Sequence, residues 1–184
     1  MSATMTVFFV ERTGHVLGAV TRNSGDDQAS RKGPIPEDVL IRFLDGSQAL
    51  IPGKELSTLV VAPLPDLLLA PLYFHAPKAT DAPPGTEPRP KEVKRLPDLV
   101  VTVKVFVDGV EVGFTAKVDK DEKVWILVSG GTLASPIFIE GFIEKDQDKK
   151  LFPSPSLDKD VIYQVLALVE EKPTVLGAFK AEMH

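Results

Sequence analysis

The stretch Leu99–Val118, LVVTVKVFVDGVEVGFTAKV, decides the fold class, because it forms two alternating runs around one tight turn. In the first run every second residue is apolar, which is the period that places one face of a strand on a core. Asp108-Gly109 supplies the positive φ values that a two-residue hairpin turn requires. The stretch therefore predicts an antiparallel hairpin with one buried face.

The same signals recur along the chain and predict further strands, separated by polar or glycine-containing turns. The charged segments 119–123 and 144–150 are predicted to be turns. The predicted strands are Thr6–Glu11 with His15–Arg22, Asp38–Leu44 with Gln48–Ile51, Leu56–Ala62, Leu67–Phe74 (a strand or an extended ledge), Val124–Val128 and Pro136–Ile143. These runs predict an all-β fold, either two small antiparallel lobes or one sandwich with a long excursion.

A proline-rich segment divides the two groups of strands. Residues 76–97 contain six prolines and eight charges in 22 residues, and proline removes backbone donors while the charges resist burial. We expect an N-terminal β lobe over residues 1–77, a charged linker over 78–97 and an acidic C-terminal β lobe over 98–184. Lobes of this size are marginal alone, so we expect them to pack together or to be stabilised by partner subunits.

An internal similarity links the two ends of the chain. Val10–Val20 (VERTGHVLGAV) and Val169–Phe179 (VEEKPTVLGAF) agree at six of eleven positions without a gap. A shared origin predicts the same hairpin in both places, and chance similarity is the alternative. The preceding run Val161–Val169 has apolar residues at helical spacing but is rich in Val, Ile and Tyr, which favour strands. We interpret it as a strand.

Charge and composition exclude several classes of protein. The chain has no cysteine, which removes disulfides, thiolate nucleophiles and cysteine-ligated metals. Its net charge is −5, whereas a nucleic-acid-binding domain is usually basic. Residues 1–97 hold 11 basic and 11 acidic side chains, including all six arginines, so the negative charge belongs to the second part. No signal peptide or membrane span is evident, and we expect a cytoplasmic protein or a component of an assembled particle.

Motifs for chemistry are weak. Gly46–Lys54 (GSQALIPGK) has six residues between its glycines and lies between strands, so it does not match a phosphate-binding loop. The three histidines, His15, His75 and His184, have no metal-binding spacing, and a histidine site would need contacts between remote segments. Lysines intersperse the acidic clusters at 119–122, 144–148 and 158–160, which favours solvated turns over calcium sites. We expect no enzyme activity and no cofactor.

These observations favour a non-catalytic structural or adaptor subunit of a larger assembly, such as a phage-tail-like or other multi-subunit particle. Strand edges and an apolar, proline-broken ledge would contact partner subunits, which are copies of this chain or other proteins. The arginine-bearing first part is the expected docking side. The candidate partner-binding residues are Leu59, Val61, Leu67, Leu69, Leu72, Phe74, Arg12, Arg22 and Arg42.

Two other functions remain open from the sequence. A small-ligand-binding β-barrel predicts an enclosed apolar cavity, lined by phenylalanines with Trp125 and Tyr163. A hydrolase or a metal-dependent enzyme is the weaker alternative, and it predicts that His15 or His75 meets carboxylates in one cleft.

Overall fold

The computed structural model describes residues 4–22, 38–42, 48–76, 91–92 and 101–184. Within them the chain is mostly strands, at 59 %, with almost no helix, so the predicted all-β class is confirmed. Most of the predicted linker, 78–97, lies outside the described residues. The described strands are β1 Thr4–Val10, β2 Val16–Arg22, β3 Asp38–Arg42, β4 Gln48–Pro52, β5 Leu56–Val61, β6 Phe74–His75, β7 Lys91–Glu92, β8 Val101–Phe106, β9 Gly109–Phe114, β10 Glu122–Ser129, β11 Ile137–Ile143, β12 Lys149–Pro153, β13 Ile162–Val169 and β14 Val175–Glu182.

The chain divides into two compact units. The first contains Met1–Val39 and Ile51–Val93, and the second contains Leu40–Leu50 and Lys94–His184. The predicted hairpin of β3 and β4 is present as a two-stranded sheet. Leu40–Leu50 belongs to the second unit, although it is distant in sequence from the other strands of that unit.

The first unit is built on a three-stranded antiparallel sheet in the order β2-β1-β5. Strand β1 is central because β2 and β5 both pair with it. Its TMTVFFV sequence places Met5 and Val7 in the core. Val16, Val61 and Leu67 complete that small core. The two-residue strands β6 and β7 pair antiparallel with each other in the same unit.

The segment predicted as a strand or ledge, Leu67–Phe74, is helical instead. A short helix α1 covers Pro65–Leu69 and a 3-10 turn covers Pro71–Tyr73. Each begins with a proline, whose fixed φ suits a first helical position and which has no N–H to leave unsatisfied there. The strand prediction was therefore wrong, and only Phe74 of this stretch is extended, in β6.

The second unit is a seven-stranded sheet that curls into a nearly closed barrel, in the order β11-β10-β13-β14-β8-β9-β12. All neighbours are antiparallel except β14 and β8, which pair in parallel through Ala181 with Val105 and Glu182 with Phe106. The two end strands approach each other, because a Cβ placed on Gly141 of β11 would lie 2.9 Å from the Phe152 ring of β12. The barrel is therefore almost closed, but β11 and β12 do not pair as neighbouring strands where they meet.

Side chains fill the inside of this barrel. Alternate residues of β10 and β13 join one apolar cluster with residues of β8, β9, β11 and β12. Trp125, Leu127, Leu166 and Leu168, which alternate with those inward positions, are buried as well. Strands β10 and β13 are thus apolar on both faces, which removes the period of two from their sequence. This explains why Val161–Val169 also has helical spacing, and the strand interpretation is confirmed by β13.

Two charged segments contain strand residues that the sequence interpretation missed. Strand β12 begins at Lys149, inside the predicted turn 144–150, and pairs with the edge of β9. Its lysines and Pro153 are typical of an edge strand and hid the pattern. Likewise Glu122 belongs to β10 and not to a solvated turn, since it is fully buried.

Both copies of the repeated sequence form antiparallel hairpins, β1–β2 and β13–β14, as predicted. Their registers differ, however. Gly18 pairs with Phe8 beside a bulge, whereas Gly177 pairs with Val165 in a regular ladder. The shared sequence specifies the same supersecondary element but not the same pairing.

A ring of hydrogen bonds closes one end of the barrel around Tyr163. The Asp158 N–H donates to the Tyr163 hydroxyl at 2.8 Å, and that hydroxyl lies 3.0 Å from Thr132 Oγ1. Thr132 in turn donates to the Asp158 carboxylate. Because Tyr163 is fully buried, its hydroxyl depends on these partners.

We expect Thr132→Val to lower the free energy of unfolding by about 0.5–1.5 kcal/mol, the net contribution of a hydrogen bond, because Thr132 is exposed and the Tyr163 hydroxyl keeps its bond from the Asp158 N–H. Thr132→Ser keeps the hydroxyl and should lose less than about half of that. Urea unfolding followed by the fluorescence of Trp125 measures both. Equal losses in the two variants would show that the hydroxyl contributes nothing.

Candidate functional site

The predicted partner-binding apolar residues separate into a buried and an exposed group. Val61 and Leu67 belong to the core of the first unit, and Leu59 and Phe74 are half-buried against that core. These four side chains pack in that core or against it. Leu72 is half-buried, and Leu69 is 84 % exposed, so Leu69 is the predicted apolar residue that the structure most clearly presents at the surface.

Leu69 has two exposed apolar neighbours that the sequence interpretation did not select. Leu68 is 44 % exposed and Tyr73 is 54 % exposed. We call Leu68, Leu69 and Tyr73 the Leu69 surface. The buried Leu67 anchors α1 while the next two residues point outward, so the chain holds these apolar groups in place on an ordered turn.

The segment around the Leu69 surface is nearly free of charge. Asp66 is the one ionisable acid or base among residues 62–72, and Tyr73 is the other polar contributor. Burial of this surface against a partner would therefore desolvate few charges, which is the costly part of forming most interfaces.

The predicted arginines are placed separately. Arg12, in the β1–β2 turn, is half-buried and already engaged in interactions. Arg42 is exposed on β3, and Arg22 is the last residue of β2. Arg12 and Arg22 belong to the first unit, and Arg42 belongs to the second.

The three-stranded sheet has two edges. The helix α1 and the 3-10 turn pack against β2, at one end of the sheet order. Among the strands that the structure describes, β5 lies at the other end of this sheet, and its sequence LSTLVV has no charge or proline. Natural edge strands usually carry a charge, a proline or a bulge that discourages pairing, and the register of β5 with β1 is regular throughout.

Two histidines remote in sequence meet in the first unit. His15 and His75 form an isolated antiparallel bridge, and their ring centroids are 5.7 Å apart in an edge-to-face arrangement. His15 is fully buried and His75 is half-buried. Spacing in the sequence gave no signal of this pair, because a contact between segments this far apart depends on tertiary pairing.

Two contacts fix the position of the His75 ring, a hydrogen bond to Thr13 and close packing against Gly14. Its Nε2 hydrogen-bonds the Thr13 carbonyl oxygen, so that nitrogen carries the proton and donates. Gly14 has φ of +78°, and a Cβ there would lie 2.4 Å from the ring, so only glycine allows His75 to sit against this turn. The Ala76 N–H donates to the Gly14 carbonyl at 2.7 Å and fixes the same approach.

In the second unit the acidic cluster at 119–122 contains a buried ion pair. Lys172 Nζ lies 3.1 Å from Glu122 Oε1, and the two side chains are 10 % and 0 % exposed. Burial raises the pKa of Glu122 above its ordinary value, and the hydrogen bond and charge of Lys172 oppose this rise. Glu122 precedes Val124, Ile126 and Val128 at intervals of two, so the strand period did indicate its inward direction.

No group of three histidine, cysteine, aspartate or glutamate side chains suited to a metal ion occurs among residues 4–22, 38–42, 48–76, 91–92 and 101–184. His15 and His75 meet each other, and among those residues they belong to no such group with carboxylates. Within these ranges no helix is long and apolar enough to cross a membrane.

Comparison of the chain with models of protein families, with curated proteins and with solved structures gives no match.

Proposed function

We propose that the protein is a non-catalytic structural or adaptor subunit of a larger protein assembly, which it contacts through the Leu69 surface. The observation that carries this proposal is the 84 % exposure of Leu69 directly beyond the buried Leu67. Together with the exposed Leu68 and Tyr73, Leu69 forms an apolar surface, and exposed apolar patches are typical of protein contact sites, whereas a lone exposed leucine is not.

The surroundings of Leu69 support this proposal. Leu68 and Tyr73 extend the apolar area, and tyrosine and leucine anchors suit the desolvated centre of an interface. The uncharged strand β5 of the same unit offers a second means of contact, by addition of a partner strand to the sheet. Both features serve binding without any reacting group.

A ligand-binding barrel is the less supported alternative. Barrels of about eight strands are either filled by side chains or hold one small ligand, and this one has seven strands. Its inward residues, including Phe152 and Tyr163, belong to one packed apolar cluster. That packing favours a barrel that serves as a scaffold.

The test is the effect of Leu69→Asp on association. Full burial of a leucine side chain contributes about 1.5–3 kcal/mol, so its loss should weaken self-association or partner binding at least about tenfold. Sedimentation velocity over a concentration series, with the co-purified complex where one forms, measures the change. Circular dichroism should remain that of the wild type, because Leu69 contributes little to the core.

Met183→Asp is the matched control, since Met183 is similarly exposed at 63 % but lies in the second unit. It should leave association unchanged. A wild-type chain that remains monomeric at high concentration and purifies without a partner would contradict the proposed function. Equal weakening by the two variants would contradict the role of the Leu69 surface.

A further inference from the structure

The arrangement of His15 and His75 supports a binding site that is independent of the proposed assembly contact. Two imidazoles from distant parts of the chain lie with ring centroids 5.7 Å apart. Imidazole is the commonest protein ligand for zinc, copper and nickel. We propose that His15 and His75 bind one divalent transition-metal ion, each through one ring nitrogen.

The separation of the rings fits a shared metal ion. Imidazole nitrogens lie about 2.0–2.1 Å from zinc, and each ring centre lies roughly 1 Å behind its nitrogen. Two rings on one ion therefore have centroids about 5–6.5 Å apart, depending on the angle at the metal. The observed separation lies inside this range before any adjustment of the side chains.

The fixed orientation of His75 is a second argument for the site. A histidine that binds a metal usually donates its other ring N–H to a carboxylate or to a backbone carbonyl, which orients the ring and selects its tautomer. His75 donates Nε2–H to the Thr13 carbonyl. Its Nδ1 consequently carries the lone pair that a metal ion requires, so Nδ1 is the proposed ligand atom.

Thr13, which lies two residues before His15 in the sequence, has a side-chain oxygen, Oγ1, that supports the site. Its side chain is 1 % exposed, and within the described part of the chain its Oγ1 is buried without a hydrogen-bond partner. Buried hydroxyls are normally satisfied by the protein or by ordered water. A water molecule bound to the metal would supply a partner for Thr13 Oγ1 and complete the coordination that two histidines leave open.

The site has a means of entry and a built base. His75 is half-buried and His15 is fully buried, so we expect an ion to enter from the His75 side. Gly14 leaves the space in which the His75 ring lies. With two protein ligands the site is expected to bind reversibly, unlike the sites with three or four protein ligands that hold structural or catalytic zinc.

The experiment uses the full untagged chain, stripped with EDTA and titrated separately with ZnCl2, NiCl2 and CuSO4 at about pH 7.5. We expect one ion per chain by calorimetry and a rise of Tm of at least about 4 °C near saturation. The electron paramagnetic resonance spectrum of the copper form should show splitting from two nitrogen ligands. Binding should weaken at acidic pH, because protons compete with the ion for the imidazoles.

His75→Gln should abolish the Tm shift and the stoichiometric heat, since glutamine retains a donor for the Thr13 carbonyl but has no imidazole. His184→Gln is the matched control and should bind like the wild type, because His184 packs on Phe106 in the second unit. Absence of binding by the wild type would overturn the proposal. So would binding unchanged in His75→Gln, or a copper spectrum with fewer than two nitrogen ligands, which needs no variant to fold.

Discussion

Gly131→Ala is expected to destabilise the second unit by about 2–5 kcal/mol. Gly131 has φ of +58°, a conformation that costs a residue with a Cβ about 1–2 kcal/mol. In addition, the new Cβ would lie 2.6 Å from the Tyr163 ring and 2.8 Å from Val161 Cγ1. Tyr163 is fully buried and tied by hydrogen bonds, so the ring has nowhere to move and overpacking adds about 1–3 kcal/mol.

Gly130→Ala is the control for this prediction, because the preceding residue has a similar φ of +76° but open space around it. The nearest atom to a Cβ at Gly130 is Gln164 Cγ, at an ordinary 3.8 Å. Gly130→Ala should therefore lower the free energy of unfolding by only about 1–2 kcal/mol. Urea unfolding followed by the buried Trp125 reports on both variants. Equal losses would mean that Tyr163 does not confine Gly131.

Lys172→Met is expected to lower the free energy of unfolding by about 3–5 kcal/mol at neutral pH, the cost of leaving one charge of a buried pair uncompensated. The carboxylate left behind is Glu122, which is fully buried at the start of β10. The pair also joins β10 to the turn between β13 and β14, so its loss frees one end of two central strands. Urea unfolding followed by Trp125 measures the change.

The double variant Glu122→Leu with Lys172→Met should regain most of this loss, because it removes both buried charges. The exposed pair Lys120–Glu171 is the control. Its atoms are 3.2 Å apart with both side chains half exposed, and Lys120→Ala should cost less than about 1 kcal/mol. A double variant as unstable as Lys172→Met would show that the residues act through shape and not through their charges.

The pH dependence of Lys172→Met follows from the direction of the Glu122 shift. Burial raises the pKa of this carboxyl above its ordinary value of 4.5, so the folded state binds the proton more tightly than the unfolded state. The stability that this tighter proton binding contributes is fully present below about pH 4.5 and is lost as the pH rises through the raised pKa. Without Lys172 the pKa rises further, so the deficit of Lys172→Met should shrink on acidification from pH 7 to about pH 5. An undiminished deficit would contradict this linkage.

How far the sequence predicts this protein depends on the range of the interactions involved. The hairpin of β8 and β9 was predicted closely, because alternation and Asp108-Gly109 are local. Leu67–Leu69 was assigned to the wrong element because short apolar runs suit helix and strand equally, and Pro65 decided in favour of a helix. Strand β12 was missed because its pairing with β9 outweighs a charged sequence that has little strand pattern of its own.

In the candidate sites, too, the sequence indicated local features but not the contacts between distant segments. The sequence selected Leu69, but equally Val61 and Leu67, because hydrophobicity does not say which side of a turn faces the core. It identified His15 and His75 as remote from each other, and the bridge between them exists only once the strands have paired. The Lys172 partner of Glu122 lies on another hairpin, so no local pattern indicates it.

By itself, the sequence determined the all-β class, the position of most strands and the absence of cysteine chemistry, because each depends on residue type and on spacing within one segment. Tertiary structure decided the barrel order with its parallel β14–β8 contact, the exposure of the Leu69 surface, the histidine pair and the buried ion pair. Each of these joins residues far apart in the chain, and contacts of that kind are fixed by the packing of the whole unit.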